Sequence, residues 1–131
     1  MIGRLNDLKM NSLEKAKELQ ERTKRFAIDI IRLSRRLPKT EEARILERQL
    51  LRSGTSVAAN YRAACRARSK AEFTAKIGTV IEEADETAFW LELIVNADII
   101  NAEKVRDLTK EANELLAIFS ASRRTARGGT K

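Results

Sequence analysis

At 131 residues, with 43% apolar and 34% charged residues, the chain has the length and composition of one globular domain. Five glycines and one proline argue against an all-β fold rich in tight turns, and no run approaches the roughly 20 apolar residues of a membrane span. A single cysteine excludes an intrachain disulfide, and the first residues lack the apolar stretch of a signal peptide. We therefore expect a soluble, all-α, cytoplasmic protein with no membrane partner.

The net charge is basic, +7 with a pI of about 9.9, which permits binding to an anionic partner. Four positive charges fall in the last nine residues, so seven minus four leaves only about +3 for the rest. These four residues are Arg123, Arg124, Arg127 and Lys131. Such a tail is equally consistent with a solubilising end and with a nucleic-acid-binding arm.

The first predicted helix covers about residues 12–37. Asn11 and Glu14 resemble a capping box near its start. Pro38 disfavours helical geometry in the residue before it, which predicts the end of the helix. The apolar stripe, at the spacing of one helix face, consists of Phe26, Ile30, Leu33 and Leu37.

The second predicted helix covers about residues 40–67, with Thr40 as its N-cap. Its middle, Ser53–Ser56, contains small polar residues and a glycine, which lower helix propensity. A loop between two short helices is one interpretation. We favour one continuous helix, because the apolar phase is kept across the segment and small residues allow close approach of another helix. The stripe consists of Ala43, Leu46, Leu50, Val57, Tyr61 and Ala64.

The third predicted helix covers about residues 70–98 and begins at a capping box formed by Ser69 and Glu72. Its core residues alternate in steps of four and three for three heptads, which is typical of tightly packed bundles. They are Phe73, Ile77, Val80, Ala84, Thr87, Leu91 and Ile94.

The fourth predicted helix covers about residues 102–121 and is capped by Asn101. Its stripe consists of Val105, Leu108, Ala112, Leu115 and Phe119. Residues 123–131 lack apolar periodicity and are predicted to form a disordered basic tail. Because the predicted connections are short, consecutive helices should be antiparallel. The prediction is an antiparallel up-down-up-down four-helix bundle over residues 1–122.

The third helix carries more apolar residues than one bundle face needs, including Phe89, Trp90 and Leu93. A helix that is apolar nearly all round is covered either within the monomer or by another subunit. We favour a subunit interface at these three residues. The alternative is cover by the N-terminal stretch that contains Leu5 and Leu8.

Residue chemistry suited to catalysis is scarce. The chain has no histidine, which removes the commonest general base and transition-metal ligand. No phosphate-binding glycine loop is present either. Glu83 and Glu86 lie three residues apart and form a poor cation site; ion pairs with Arg48, Arg52 or Arg62 are the better interpretation. We expect no enzymatic activity, no cofactor and no metal.

Arginines along the second helix are the candidate nucleic-acid contacts, because four-residue spacing places them on ridges that can follow a phosphate backbone. A solvated face partly paired with acids is at least as good an explanation for one monomer. The candidates on the second helix and its exit are Arg44, Arg48, Arg52, Arg62, Arg66, Arg68 and Lys70. Those in the tail are Arg123, Arg124 and Arg127.

Residues 26–100 resemble the bacterial four-helix-bundle family encoded in 23S rRNA intervening sequences. The matching words are LP at 37–38, QLLRSGTSVAANYR at 49–62, RSKAEF at 68–73 and EADETAFWLEL at 83–93. The resemblance implies a continuous second helix, a homopentameric ring and no established enzymatic activity. The sequence is also similar to the pentameric accessory protein of diversity-generating retroelements, which binds nucleic acid and a reverse transcriptase. Ala63 departs from the family pattern, which has an acid there, and this makes the surrounding face more basic.

We therefore predict a non-enzymatic homo-oligomer that binds RNA or DNA through basic faces. The alternative is a protein-interaction scaffold, such as an accessory subunit of a polymerase or reverse transcriptase, with no nucleic-acid specificity of its own.

Overall fold

The computed structural model describes the backbone of residues 2–128 and the side chains of residues 12–128. This part of the chain folds into four α-helices and one short 3-10 helix, and it contains no strand. The elements are α1 (Ile2–Ser34), α2 (Glu41–Cys65), α3 (Lys70–Asn96), the 3-10 helix (Ala102–Lys104) and α4 (Arg106–Ala126). Helix α2 packs against α1 and α3, and α3 packs against α4, while α1 and α4 meet more sparsely. The predicted up-down-up-down bundle is confirmed.

Helix α1 differs from its prediction at both ends. Its backbone is helical from Ile2, so the capping box predicted at Asn11 and Glu14 lies inside the helix and the start near residue 12 is wrong. At the other end, the N–H of Leu37 donates to the Ser34 carbonyl in a tighter three-residue turn. This tightening before the proline ends the α-helix at Ser34, although Leu37 remains buried.

Side-chain caps fix the starts of α2 and α3. The hydroxyl of Thr40 accepts from the N–H of Ala43 at 3.3 Å, and the hydroxyl of Ser69 accepts from the N–H of Glu72 at 3.1 Å. The Glu72 carboxylate accepts from the N–H of Arg68 rather than from the cap residue, so the predicted reciprocal bond is displaced by one residue. These caps satisfy amide groups that have no partner within their helices.

The prediction that Asn101 caps the fourth helix is wrong. Its side chain accepts from the N–H of Glu103 in the 3-10 helix, and α4 begins at Arg106 without a side-chain cap.

The segment Ser53–Ser56 is helical, so the predicted continuity of α2 is confirmed. Ser53 and Gly54 are buried. A Cβ atom added to Gly54 would lie 2.9 Å from both γ carbons of Ile30 in α1. On the side of α3, the hydroxyl oxygens of Ser53 and Thr87 are 2.9 Å apart, at hydrogen-bond distance. The small residues therefore form a tight crossing of α1, α2 and α3.

The predicted apolar stripes form the core between the four helices. Phe26, Ile30, Leu50, Leu91 and Phe119 are among its largest fully buried side chains. Three predicted core residues sit at the margin and are only partly buried: Leu46, Phe73 and Leu108.

Helix α4 continues past its predicted end and includes the first part of the predicted tail. The expectation of disorder from residue 123 is wrong for Arg123–Ala126, which are helical. Residues 129–131 lie outside the described residues. Arg123 and Arg124 occupy the last turn, where positive side chains interact favourably with the helix macrodipole. The guanidinium of Arg123 also lies over Gly78 of α3, 3.9 Å from where a Cβ would be.

None of the helices described combines the length and apolarity that crossing a membrane requires.

Candidate nucleic-acid interface

The arginines predicted as contacts are spread along α2. Arg44 and Arg48 are exposed near its start, whereas Arg62 and Arg66 are exposed near its end. The 22 residue-to-residue steps from Arg44 to Arg66 correspond to about 33 Å of helix. The structure therefore does not gather these residues into one site.

Arg52, between the two groups, is engaged by acids of α3. Its guanidinium donates to Glu83 at 3.0 Å and also contacts Glu86. The indole N–H of Trp90 donates to the same Glu86 carboxylate at 3.0 Å. The bond from Trp90, and then the bond and charge of Arg52, lower the pKa of Glu86 against the opposing effect of desolvation.

This network confirms the predicted ion pairing of Glu83 and Glu86, with Arg52 as the partner. Across the described residues, no group of three or more acidic, cysteine or histidine side chains is placed to hold a metal ion. A phosphate group would have to displace two carboxylates to reach Arg52. Arg52 is therefore a weaker candidate contact than its sequence spacing suggests.

Two basic grooves flank the C-terminal half of α2, and we call them the α2 grooves. The groove between α2 and α3 has a volume of about 440 Å³, and its lining comprises Ala59, Arg62, Ala63, Arg66, Arg68, Glu72 and Lys76. The groove between α1 and α2 has a volume of about 500 Å³, and its lining comprises Gln20, Glu21, Lys24, Thr55, Ala58, Ala59, Arg62 and Arg66. Arg62 and Arg66 line both, so the grooves meet across the outer face of α2.

Positive charge dominates the α2 grooves. Five cations line them against two acids, Glu21 and Glu72. The Glu72 carboxylate already accepts the N–H of Arg68. None of the five cations forms an ion pair with an acid whose side chain the structure describes. Moreover, α2 contains no acid after Glu47. These cations are thus available to an external anion.

A third groove, between α3 and α4, brings together cations that are distant in sequence. Lys70 lies at the start of α3, and Arg123 and Arg127 lie at the end of α4. The groove has a volume of about 820 Å³ and includes one acid, Glu82. Arg124 is exposed but does not line it. The basic C-terminal segment therefore joins the folded basic end of the bundle at least as far as Arg127.

Sequence reasoning missed Lys24 and Lys76. Each lies on a different helix from the arginines of α2, and no motif in the sequence connects it with them. The packing of Gly54 against Ile30 fixes the antiparallel register of α1 and α2, and that register places Lys24 beside Arg62. Ala63 lines the groove between α2 and α3. Ala63, where the resemblance implies an acid, therefore lies inside the basic surface.

The predicted interface residues lie on the outer part of α3. Phe89 is 52% exposed, and its ring contacts Trp90 edge-on with centroids 5.0 Å apart. Trp90 and Leu93 are partly buried. The side chains of Leu5 and Leu8 lie outside the described residues, but the backbone of α1 is one uninterrupted helix and makes no turn back toward α3. An exposed aromatic face therefore remains on α3.

These features define an all-α four-helix bundle with a basic end and an exposed apolar face on α3. The sequence pattern of the 23S rRNA-intervening sequence proteins matches residues 11–121, and the chain belongs to this family.

The fold is similar to the crystal structure of a protein of unknown function from the S23 ribosomal protein family of Bacteroides thetaiotaomicron. The two are 30% identical with a TM-score of 0.75, over 80% of this chain and 97% of that chain. No curated protein shows significant similarity to the sequence.

Proposed function

We propose that this protein is a non-enzymatic homopentamer that binds RNA or DNA through its basic faces. The observation that carries the proposal is the group of five cations around the α2 grooves, none of them paired with a described acid. Because nucleic acids release counterions when such cations contact phosphates, this surface favours polyanion binding. None of the residues lining the grooves is aromatic, so the protein should contact phosphates and read little sequence information.

Assembly would multiply this surface. The exposed Phe89, with Trp90 and Leu93 beside it, is an apolar patch of the kind that a second copy of the chain can cover. In a closed ring each subunit presents the same grooves, and linked sites bind with greater avidity than one site. Light scattering at micromolar concentration should give about five times the chain mass of 14.8 kDa. A monomer with intact helicity would overturn this part of the proposal.

Three charge-matched variants test the binding. Each replaces three arginines by glutamine: Arg44/Arg48/Arg52→Gln, Arg62/Arg66/Arg68→Gln and Arg123/Arg124/Arg127→Gln. Substitution is preferable to truncation after Ser122, since truncation would remove the last turn of α4. Fluorescence anisotropy on single-stranded and duplex probes, repeated over a salt series, gives affinity and salt dependence.

We expect the parent to bind at roughly 50–100 mM salt, with affinity falling steeply as salt increases. Arg62/Arg66/Arg68→Gln should lose the most affinity and Arg123/Arg124/Arg127→Gln less. Arg44/Arg48/Arg52→Gln should lose the least, because Arg52 is held by acids. If the parent does not bind at that salt concentration, the proposal is wrong. If all three variants lose the same affinity, binding is not confined to particular faces, and that part of the proposal is wrong.

The exposed apolar face supports a second function, that of a scaffold or accessory subunit for a polymerase or reverse transcriptase. Phe89 is as suited to another protein as to a second copy of this chain. The Phe89→Ser variant separates the two. If it becomes monomeric while the parent is an oligomer, the face joins copies of this chain. If the oligomer persists, the face is free for a partner and the scaffold function is favoured.

A further inference from the structure

We propose that the α2 grooves bind the sugar-phosphate backbone of a single nucleic-acid strand, which crosses the outer face of α2 from one groove to the other. This inference rests on the nucleic-acid binding proposed above. It adds that the ligand is single-stranded and that the strand crosses α2. The phosphates would be bound by five cations: Lys24, Arg62, Arg66, Arg68 and Lys76.

The shape of the surface favours one strand over two. Packed helices have axes about 8–10 Å apart, so the groove between them admits a chain but not the full width of a duplex. The part of α2 between the grooves presents small side chains, namely Thr55, Ala58, Ala59 and Ala63. A strand can therefore come close to the α2 backbone, with long cationic side chains on both sides. A duplex would touch only the outermost guanidinium groups.

The positions of the cations suit a strand that crosses α2. Arg62 and Arg66 are one turn apart at the end of α2, about 6 Å along the axis, so a strand that passes between them has a guanidinium group on each side. Lys24 adds a cation on the α1 side, and Arg68 with Lys76 adds two on the α3 side. The cations thus line a path across α2 rather than along it.

Because no aromatic side chain lines the path, bases gain no stacking platform and the binding is electrostatic. A single strand releases about 0.7 counterion for each phosphate that a cation neutralises, so the five cations predict a log–log salt slope of about −3.5. Neutralising any one of these cations by substitution should then weaken binding about fivefold near 0.1 M salt.

Ala63 offers the sharpest test. It lies in the groove between α2 and α3, with Arg62, Arg66 and Arg68 around the same groove. Ala63→Glu places a carboxylate among these cations without removing any of them, and glutamate is a good helix former. The matched control is Ala117→Glu, the same substitution at an exposed position of α4 that lines none of these grooves.

The experiment measures the affinity of the 131-residue protein for labelled 20-mers of uridine and thymidine and for a mixed duplex of equal length. We expect the parent to bind the single strands at least about tenfold more tightly than the duplex, with the slope given above. Ala63→Glu should weaken single-strand binding about fivefold or more, and Ala117→Glu less than about twofold. A second matched pair consists of two double substitutions. Arg62/Arg66→Gln should lower the single-strand affinity about 25-fold, and Arg35/Arg36→Gln, at the opposite end of the bundle, is its control.

Equal losses in Ala63→Glu and Ala117→Glu, or in the two arginine pairs, would overturn the path across α2 while leaving nucleic-acid binding intact. Duplex binding as tight as single-strand binding would overturn the choice of ligand. Only failure of the parent to bind any probe would remove the proposed function together with this inference. Circular dichroism and light scattering on each variant confirm that fold and assembly are unchanged.

Discussion

Arg52 and Arg62 are both arginines on the outward side of α2, but the structure gives them opposite electrostatic environments. Beside Arg52, α3 presents Glu83 and Glu86, which hold the guanidinium. Beside Arg62, the same helix presents Lys76, and the basic charge accumulates. The neighbouring helix, rather than the spacing of arginines within α2, decides which cation can bind an external anion.

Packing differs between the same two regions. In the middle of α2, Ser53 and Gly54 face inward and allow α1 and α3 to approach closely. Toward its end, Ala59 and Ala63 face outward and leave open grooves. Small residues therefore have opposite effects in the two regions. Where they face inward they allow tight helix packing, and where they face outward they leave a groove at the surface. The predictions below test this contrast between a closed, neutralised middle and an open, basic end.

The largest effect should follow from filling the closed crossing. Gly54→Leu should lower the free energy of unfolding by about 3 kcal/mol or more, since the added atoms meet the buried, branched side chain of Ile30. Even Gly54→Ala should destabilise, although alanine gains about 1 kcal/mol in helix propensity.

The control is Gly78→Ala in α3, where the nearest atom to a new Cβ is the flexible end of Arg123 at 3.9 Å. This change should stabilise by about 0.5–1 kcal/mol. Urea unfolding measures all three variants at one fixed protein concentration, because the stability of the proposed oligomer would depend on concentration. Stabilisation by Gly54→Ala would show that the crossing is not tight.

A smaller effect should distinguish the two arginines. Arg52→Gln leaves the Glu83 and Glu86 carboxylates without their cation and should destabilise by about 1 kcal/mol or less, as expected for a partly exposed ion pair. Arg62→Gln breaks no described ion pair, so its effect should stay within about 0.5 kcal/mol. For nucleic-acid affinity we expect the opposite order, with a larger loss in Arg62→Gln than in Arg52→Gln. If both variants change stability and affinity equally, the contrast between the two regions is wrong.

The smallest effect concerns pH. The folded structure lowers the pKa of Glu86 from its ordinary value of 4.5, mainly through the Trp90 indole and then Arg52. A carboxyl group with a lowered pKa contributes stability that is fully present above about pH 4.5 and is lost as the pH falls through the lowered value.

Trp90 is the only tryptophan, so its emission reports directly on this titration. Between about pH 6 and about pH 3, the parent should show an emission change and a decrease in melting temperature that are both reduced in Glu86→Gln. Identical pH profiles in the two proteins would contradict the assignment of this titration to Glu86.

The existence of the helices, the caps of α2 and α3 and the core stripes could be predicted from the sequence, because they depend on neighbours within one or two turns. The predicted start of α1 is wrong because the first half of this helix has no regular apolar stripe to mark it in the sequence. The backbone there is nonetheless helical. The C-terminal segment was predicted as disordered for the same reason, since Arg123–Ala126 lack an apolar repeat and continue α4 as a basic last turn.

The sequence by itself determined a four-helix bundle, the continuity of α2 and a set of candidate arginines, since periodicity and capping are local properties. Only the tertiary structure decided that Arg52 is held by acids, that Lys24 and Lys76 join Arg62 around the α2 grooves, and that Arg123 and Arg127 meet Lys70. These relations depend on the register of antiparallel helices, and that register is set where Gly54 packs on Ile30 and Ser53 meets Thr87. Pairings between residues so far apart in the chain leave no periodic signal in the sequence.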